Sequence, residues 1–252
     1  MSEDRDIASF EALRSLEVDE PTLIEGLPGH GLVASIAVDQ ITKQLEMEQF
    51  GRLYSRRFPP VVTFEDGLVQ DLVRVYACEE PPVMTLKSDL ALPPQAFEPL
   101  SECVLNDLAD TFERAIFIAG APAESEERIG DVQGVATTEA MREELRAANV
   151  PVAEEHGVVG DITGALMREC YHADVPALLL IVRAHPRIPD PGAAVAVIEK
   201  ALEPLVEFEI DTSDLEEHAE DIQRQLRQIA EQYERRGRQQ QTADPRTMGM
   251  YQ

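Results

Sequence analysis

Three stretches of this chain are apolar at nearly every position: "TLIEG" at 22–26, "AIFIAGAP" at 115–122 and "VPALLLIVRAH" at 175–185. A strand that alternates apolar and polar residues buries one face, whereas a strand apolar throughout buries both. Each of these runs therefore needs covering elements on either side of its sheet. Segments with helical spacing follow in sequence, at 32–45 after the first run, 138–147 after the second and 190–208 after the third, with a further one at 161–173. Alternation of this kind predicts an α/β sandwich whose sheet is mostly parallel.

Between the first helix and a longer one expected over 94–113 lie "FGRLYSRRF", "PVVTF", "LVQDLVRVYAC" and "PVMTLKS", which have strand character. Asp66-Gly67, between two of them, is a two-residue hairpin signal, so the sheet is expected to carry an antiparallel hairpin portion. A short strand is also expected at 150–155. The predicted layout is an N-terminal segment over 1–19, the α/β domain over 20–210, an amphipathic helix over 211–236 and a tail over 237–252.

In the third of these, Ser213 with Glu216 makes a capping box. Leu215, Ala219, Ile222, Leu226, Ile229 and Tyr233 then alternate steps of four and three, a heptad seam that serves either packing on its own domain or pairing between subunits. The polar stretch beyond, "GRQQQTADPRTMGMYQ", builds neither a helix face nor a strand and reads as a disordered tail. As a flexible tether, residues 237–249 would reach roughly 20 Å.

Acids dominate the charge: 48 Asp and Glu against 22 Lys and Arg give a formal net charge of -26, and only Lys43, Lys87 and Lys200 are lysines. Such a surface argues against nucleic acid as a partner and resembles proteins of salt-loving archaea, in which high salt screens self-repulsion. The acids are interspersed among regular apolar runs, as in a folded protein. Cys78, Cys103 and Cys170 are odd in number and widely spaced, which supports neither disulfides nor a zinc knuckle. No run approaches a membrane span and no apolar signal core opens the sequence, so a cytoplasmic protein is expected.

"GLPGHG" at 26–31 joins a strand to a helix, where glycines permit tight turns and free amides can hold an anion. Its spacing matches neither the dinucleotide fingerprint nor the lysine-bearing phosphate loop. The same turn could serve only to pack the helix closely on the strand. His30, His156 and His185 each follow an expected strand, as do Asp161 and Asp190, so all could gather at the carboxyl edge of the sheet. The candidate ligand or anion site is thus Gly26, Gly29, His30, Gly31, His156 and His185. No ligand pair for a metal, no G-x-S-x-G and no other catalytic constellation is present, and no cofactor is implied. His172 and His218 are expected on helix surfaces.

In "LIEGLPGHGLVASIAVDQI" together with "GVVGDITGALMRECYHADVPALLLIVRAHPRIPDPGAAVAVIEKAL", the chain resembles the proteasome assembly chaperone family in its archaeal branch, over roughly residues 20–208. The resemblance rests on the glycine turn, on Gly157, Gly160, Ile162, Thr163 and Gly164, and on the segment Pro189 to Ala194. It implies a three-layer α/β/α sandwich of phosphorylase-like type, assembly into homo-oligomers and no enzymatic activity. It also gives Met250, Tyr251 and Gln252 a meaning, since relatives that bind the proteasome end in a hydrophobic, Tyr, any-residue motif. The resemblance implies docking of that tripeptide between α-subunits of the proteasome core particle, as an assembly chaperone or as an activator or adaptor. The alternative is a small-molecule-binding protein or enzyme that uses the glycine loop and sheet edge as an anion or nucleotide site.

Overall fold

A computed structural model describes residues 8–16 and 20–219 of the chain. The apolar runs form the middle of an eight-stranded sheet, where β7 (Val83–Ser88), β2 (Thr22–Gly26), β8 (Arg114–Pro122) and β10 (Ala177–Ala184) lie side by side and parallel. On the β7 side the sheet continues antiparallel through β6 (Val73–Cys78), β3 (Glu48–Ser55) and β1 (Ala8–Ala12). On the other, β9 (Val132–Ala136) closes it antiparallel to β10. The parallel centre with antiparallel flanks is the mixed α/β sandwich expected from the sequence.

Alternation along β10 shows why both faces need cover. Leu178, Leu180, Val182 and Ala184 enter one core, with α1 (Val33–Gln44) and α5 (Pro191–Val197) above them. Ala177, Leu179 and Ile181 point into the other, against α4 (Asp161–His172), which packs on α2 (Phe97–Cys103). Each fully buried Leu or Ile contributes about 1.5–3 kcal/mol, so the two cores dominate the stability of the domain. Along α1 the buried residues are Val33, Ala34, Ala37, Val38, Gln40 and Ile41, while Leu32 is exposed in a left-handed conformation at the helix start. α3 (Glu139–Ala147), capped by the Thr138 hydroxyl, lays Leu145 over β9.

Several local expectations change. Residues 8–12, assigned to the N-terminal segment, are the edge strand of the sheet. The single strand expected over 68–78 is two. β5 (Leu68–Gln70) pairs with β4 (Thr63–Glu65) in a separate two-stranded sheet, and the chain bends at Asp71, whose carboxylate takes Arg52 and whose carbonyl takes Arg74, before β6 begins. The Asp66-Gly67 turn that joins β4 and β5 has φ of 49° and 80°, the two positive values a type I′ turn needs. The helix expected over 94–113 is a succession of short pieces, in which α2 runs on into a wider turn, Val104–Leu108, and a tight one, Ala109–Thr111. In place of a strand at 150–155 there is one bridge, Gly134 to Val152.

Residues 213–219 are helical. Their cap differs from the expected box: the Thr212 carbonyl accepts the first helical bond, from Glu216, and the Ser213 hydroxyl donates to Asp211. Leu215, first residue of the heptad seam, is only 9% exposed and belongs to the domain's own core, and Ala219 faces Gly192 of α5. Ile222, Leu226, Ile229, Tyr233, Met250, Tyr251 and Gln252 lie outside the described residues.

Candidate functional site

Strands β2 and β8 are paired only as far as Ile24 and Ile116, and beyond that register the two diverge. Chain from β2 turns back through α1 over one face of the sheet, while β8 runs on for six residues past the last paired position. A crevice outside the carboxyl ends of the strands is where open α/β sheets usually hold ligands. Here it is a cavity of about 890 Å³ over the ends of β2, β8 and β10.

Glu25 closes the bottom of the split. Its carboxyl is 0% exposed and accepts hydrogen bonds from the Leu27 N–H at 2.7 Å and from the Ile118 N–H. The Thr163 hydroxyl, which lines the cavity, stands 3.3 Å from its other oxygen. Burial pushes the Glu25 carboxyl up to about 8, against the opposing pull of those three hydrogen bonds. Near neutral pH it therefore holds a proton, the less costly state for a carboxyl removed from water.

His30 sits on the tight turn between β2 and α1 and crosses directly over Gly120 of β8. A Cβ at Gly120 would collide with the His30 carbonyl, so that position admits no side chain. The His30 Nε2 is buried at the cavity and has no hydrogen-bond partner among the described residues. On β10, Arg183 shares the face of Leu179 and Ile181 and pairs in register with Ala121, next to Gly120. Its guanidinium approaches only the Pro122 carbonyl, at 3.4 Å, and forms no ion pair with a described residue. Arg168, by contrast, is held by Glu169 at 2.7 Å.

The remaining wall comes from the segment that leads into α4. His156, Gly157, Val158 and Gly160 line it, with Glu155 and Asp161 as acids. The first bond of α4 runs from the Gly164 N–H to the Gly160 carbonyl, and Gly160 offers no side chain to cap the earlier amides. The apolar part of the cavity is supplied by Val135, Met167, Leu179 and Ile181.

Of the six residues proposed from sequence, the structure brings Gly29, His30 and His156 into this cavity, together with Asp161. Gly26 lies instead under Val38 of α1, and Gly31 turns beside Ala184. His185 belongs to a different corner, where its N–H donates to Asp190 and its Nδ1 accepts from the Arg187 N–H. Asp190 is the cap of α5, accepting from the Ala193 N–H at 3.0 Å. Gly26 and Gly31 are packing positions, under α1 and beside β10, and His185 joins the Asp190 cap because the chain after β10 passes to the face of the sheet that α1 and α5 cover. Glu25, Thr163, Gly120 and Arg183 were missed. A Glu inside "TLIEG" and an Arg inside "LLLIVRA" were the available signals, each a charge in a run otherwise buried.

Burial pushes Cys103 and Cys170 each up to about 12 and raises Cys78, and all three are free. Among the described residues no cluster of His, Cys, Asp and Glu is arranged to hold a metal, and no helix is long and apolar enough to cross a membrane.

Comparison with known proteins places this geometry. The family model described as PAC2 family matches residues 23–230. An uncharacterized protein of Methanocaldococcus jannaschii, MJ0106, is 29% identical over 229 residues, covering 90% of this chain and 93% of that one. The crystal structure of Pyrococcus furiosus PbaA, described as an archaeal homolog of proteasome-assembly chaperone, is 27% identical and superimposes with a TM-score of 0.79 over 93% of this chain and 97% of its own. P. furiosus PbaB, described as an archaeal proteasome activator, shares the fold at 22% identity, with a TM-score of 0.78 over 89% of this chain and 99% of its own.

Proposed function

The chain belongs to the PAC2 family, and from that premise we propose that it is a non-enzymatic partner of the proteasome core particle, serving as an assembly chaperone or as an activator or adaptor. The observation that carries this reading is the likeness to PbaA along almost the whole of both chains. In this reading Met250, Tyr251 and Gln252 dock between neighbouring α-subunits of the core particle, in the cytoplasm. The tyrosine and the carboxylate are the anchors, as the resemblance to the proteasome-binding relatives implies.

A three-residue anchor buries little surface, so one tail binds weakly. Several tails on one homo-oligomer raise the effective concentration at the α-ring and multiply the apparent affinity without any new contact. The seam residues Ile222, Leu226, Ile229 and Tyr233 are the proposed contacts of that oligomer. Leu215, which is buried in its own domain, would anchor the seam to the body instead.

The test is binding of the full chain and a Tyr251→Ala variant to purified archaeal core particle at high salt. Saturable binding by the full chain and its loss in the variant are expected. Equal binding by both would overturn the tail as the anchor, and binding by neither would overturn the proteasome reading itself.

A further inference from the structure

We propose that the cavity at the carboxyl ends of β2, β8 and β10 is a binding site for a small anion-headed molecule with an apolar body, independent of any docking through the C-terminus. Four observations converge on it. The cavity, at about 890 Å³, is of the size that holds a small organic ligand. His30 lines it, and the Nε2 of that ring is buried with no described group to satisfy it. A buried polar atom without a partner is costly, and a ligand oxygen in hydrogen-bond reach would remove that cost.

Arg183 adds a charge of the matching sign. In a chain with 48 acids and 22 basic residues, eight of the twelve described arginines are drawn into ion pairs, while Arg183 at the cavity wall, like Arg56, Arg57 and Arg187 elsewhere, has none with a described residue. A guanidinium held only by one long bond to the Pro122 carbonyl keeps donors for a phosphate or carboxylate oxygen pair. The start of α4, a 12-residue helix without a side-chain cap, lines the same space, and a helix N-terminus favours the same sign of ligand.

The body of the ligand follows from the rest of the lining. Leu179, Ile181, Val135 and Met167 offer an apolar wall, so an inorganic ion alone leaves most of the cavity unfilled. Glu155 and Asp161 also line it and would repel a second negative group, which restricts the ligand to one anionic head. A hydroxyl or amine elsewhere on the ligand would find its acceptor in those two carboxylates. None of this chemistry requires a reaction, and Thr163, which lines the site, is tied to the buried Glu25 behind it.

The experiment is calorimetric titration of the full chain with phenyl phosphate, inorganic phosphate and phenol, alongside Arg183→Gln and Val158→Glu. Phenyl phosphate is expected to bind saturably and more tightly than either fragment. Losing the guanidinium contact should weaken it about tenfold or more. Val158 is 88% exposed at the mouth, so Val158→Glu leaves the fold intact while placing a third acid in the ligand's path, and it too should weaken binding. Phenol binding as tightly as phenyl phosphate would overturn the anionic head. Absence of saturable binding by all three probes, or unchanged phenyl phosphate affinity in both variants, would overturn the site.

Discussion

Replacing Glu25 by Gln should change how the stability of the domain depends on pH. The carboxyl is wholly buried, and its ordinary value of 4.5 is pushed up to about 8 by burial. In the unfolded chain the same group gives up its proton near 4.5. Below that pH both states are protonated and the group costs nothing. Between 4.5 and 8 only the unfolded state ionises, so the folded state loses relative stability as pH rises, up to about 5 kcal/mol once both have ionised.

From pH 5 to pH 8 the loss comes to about 3–4 kcal/mol, a large share of the 5–15 kcal/mol typical of a whole domain. Glutamine keeps the shape of the side chain: its carbonyl can still accept from the Leu27 and Ile118 N–H groups and its NH₂ can donate to the Thr163 hydroxyl. Glu25→Gln does not titrate, so the pH-dependent part vanishes with little change in packing. Guanidinium unfolding of both proteins at pH 5, 6, 7 and 8, at constant high salt, gives the difference directly. The variant should gain on the parent by about 1 kcal/mol or more for each pH unit over this range. A difference that stays constant from pH 5 to pH 8 would refute the buried, protonated carboxyl.

Other outcomes follow from single positions. Gly120→Ala forces a Cβ against the His30 carbonyl and should cost about 1–3 kcal/mol or more while displacing the turn before α1, visible as changed amide shifts at residues 29–32. Leu215→Ala should destabilise the domain by about 2–4 kcal/mol in chemical unfolding, as a core residue does; an effect on oligomer mass alone would contradict its burial. Cys103 and Cys170, pushed up to about 12, hold about one thiolate in ten thousand at pH 8, so thiol reagents should label them only on unfolding. Phe64 is 75% exposed on the β4–β5 hairpin and Phe64→Ser should leave stability within about 0.5 kcal/mol, measured by the unfolding midpoint.

The strands and helices that were legible are those whose burial is written locally. The runs that became β2, β8 and β10 bury both faces, which leaves no polar alternation to misread, and α3 carries its Thr138 cap in the sequence. The edge strands were not legible. β9 reads "VQGVA", with a glycine at its centre because the Leu145 side chain lies where a Cβ on Gly134 would stand. β1 reads "ASFEA", and its pairing with β3 is a contact across some forty residues that no local pattern announces.

The same distinction divides the site. His30 could be placed at the sheet edge because it follows β2, and strand ends in a parallel sheet gather on one side; His156 reaches the same edge after a single bridge at Val152 in place of the expected strand. Which edge residues share a cavity depends on the direction each chain takes after its strand, so His185 and Asp190 became a cap while Arg183, two residues earlier, became a wall. Sequence alone determined the layered α/β class, the family and the acidic surface, because periodicity, motif order and charge are properties of the chain read in one dimension. Only the tertiary structure decided that β2 and β8 part above Glu25, that a cavity lies at the parting, and that a histidine nitrogen without a partner and an arginine without an ion pair among the described residues belong to its lining, because each depends on residues that meet across long stretches of sequence.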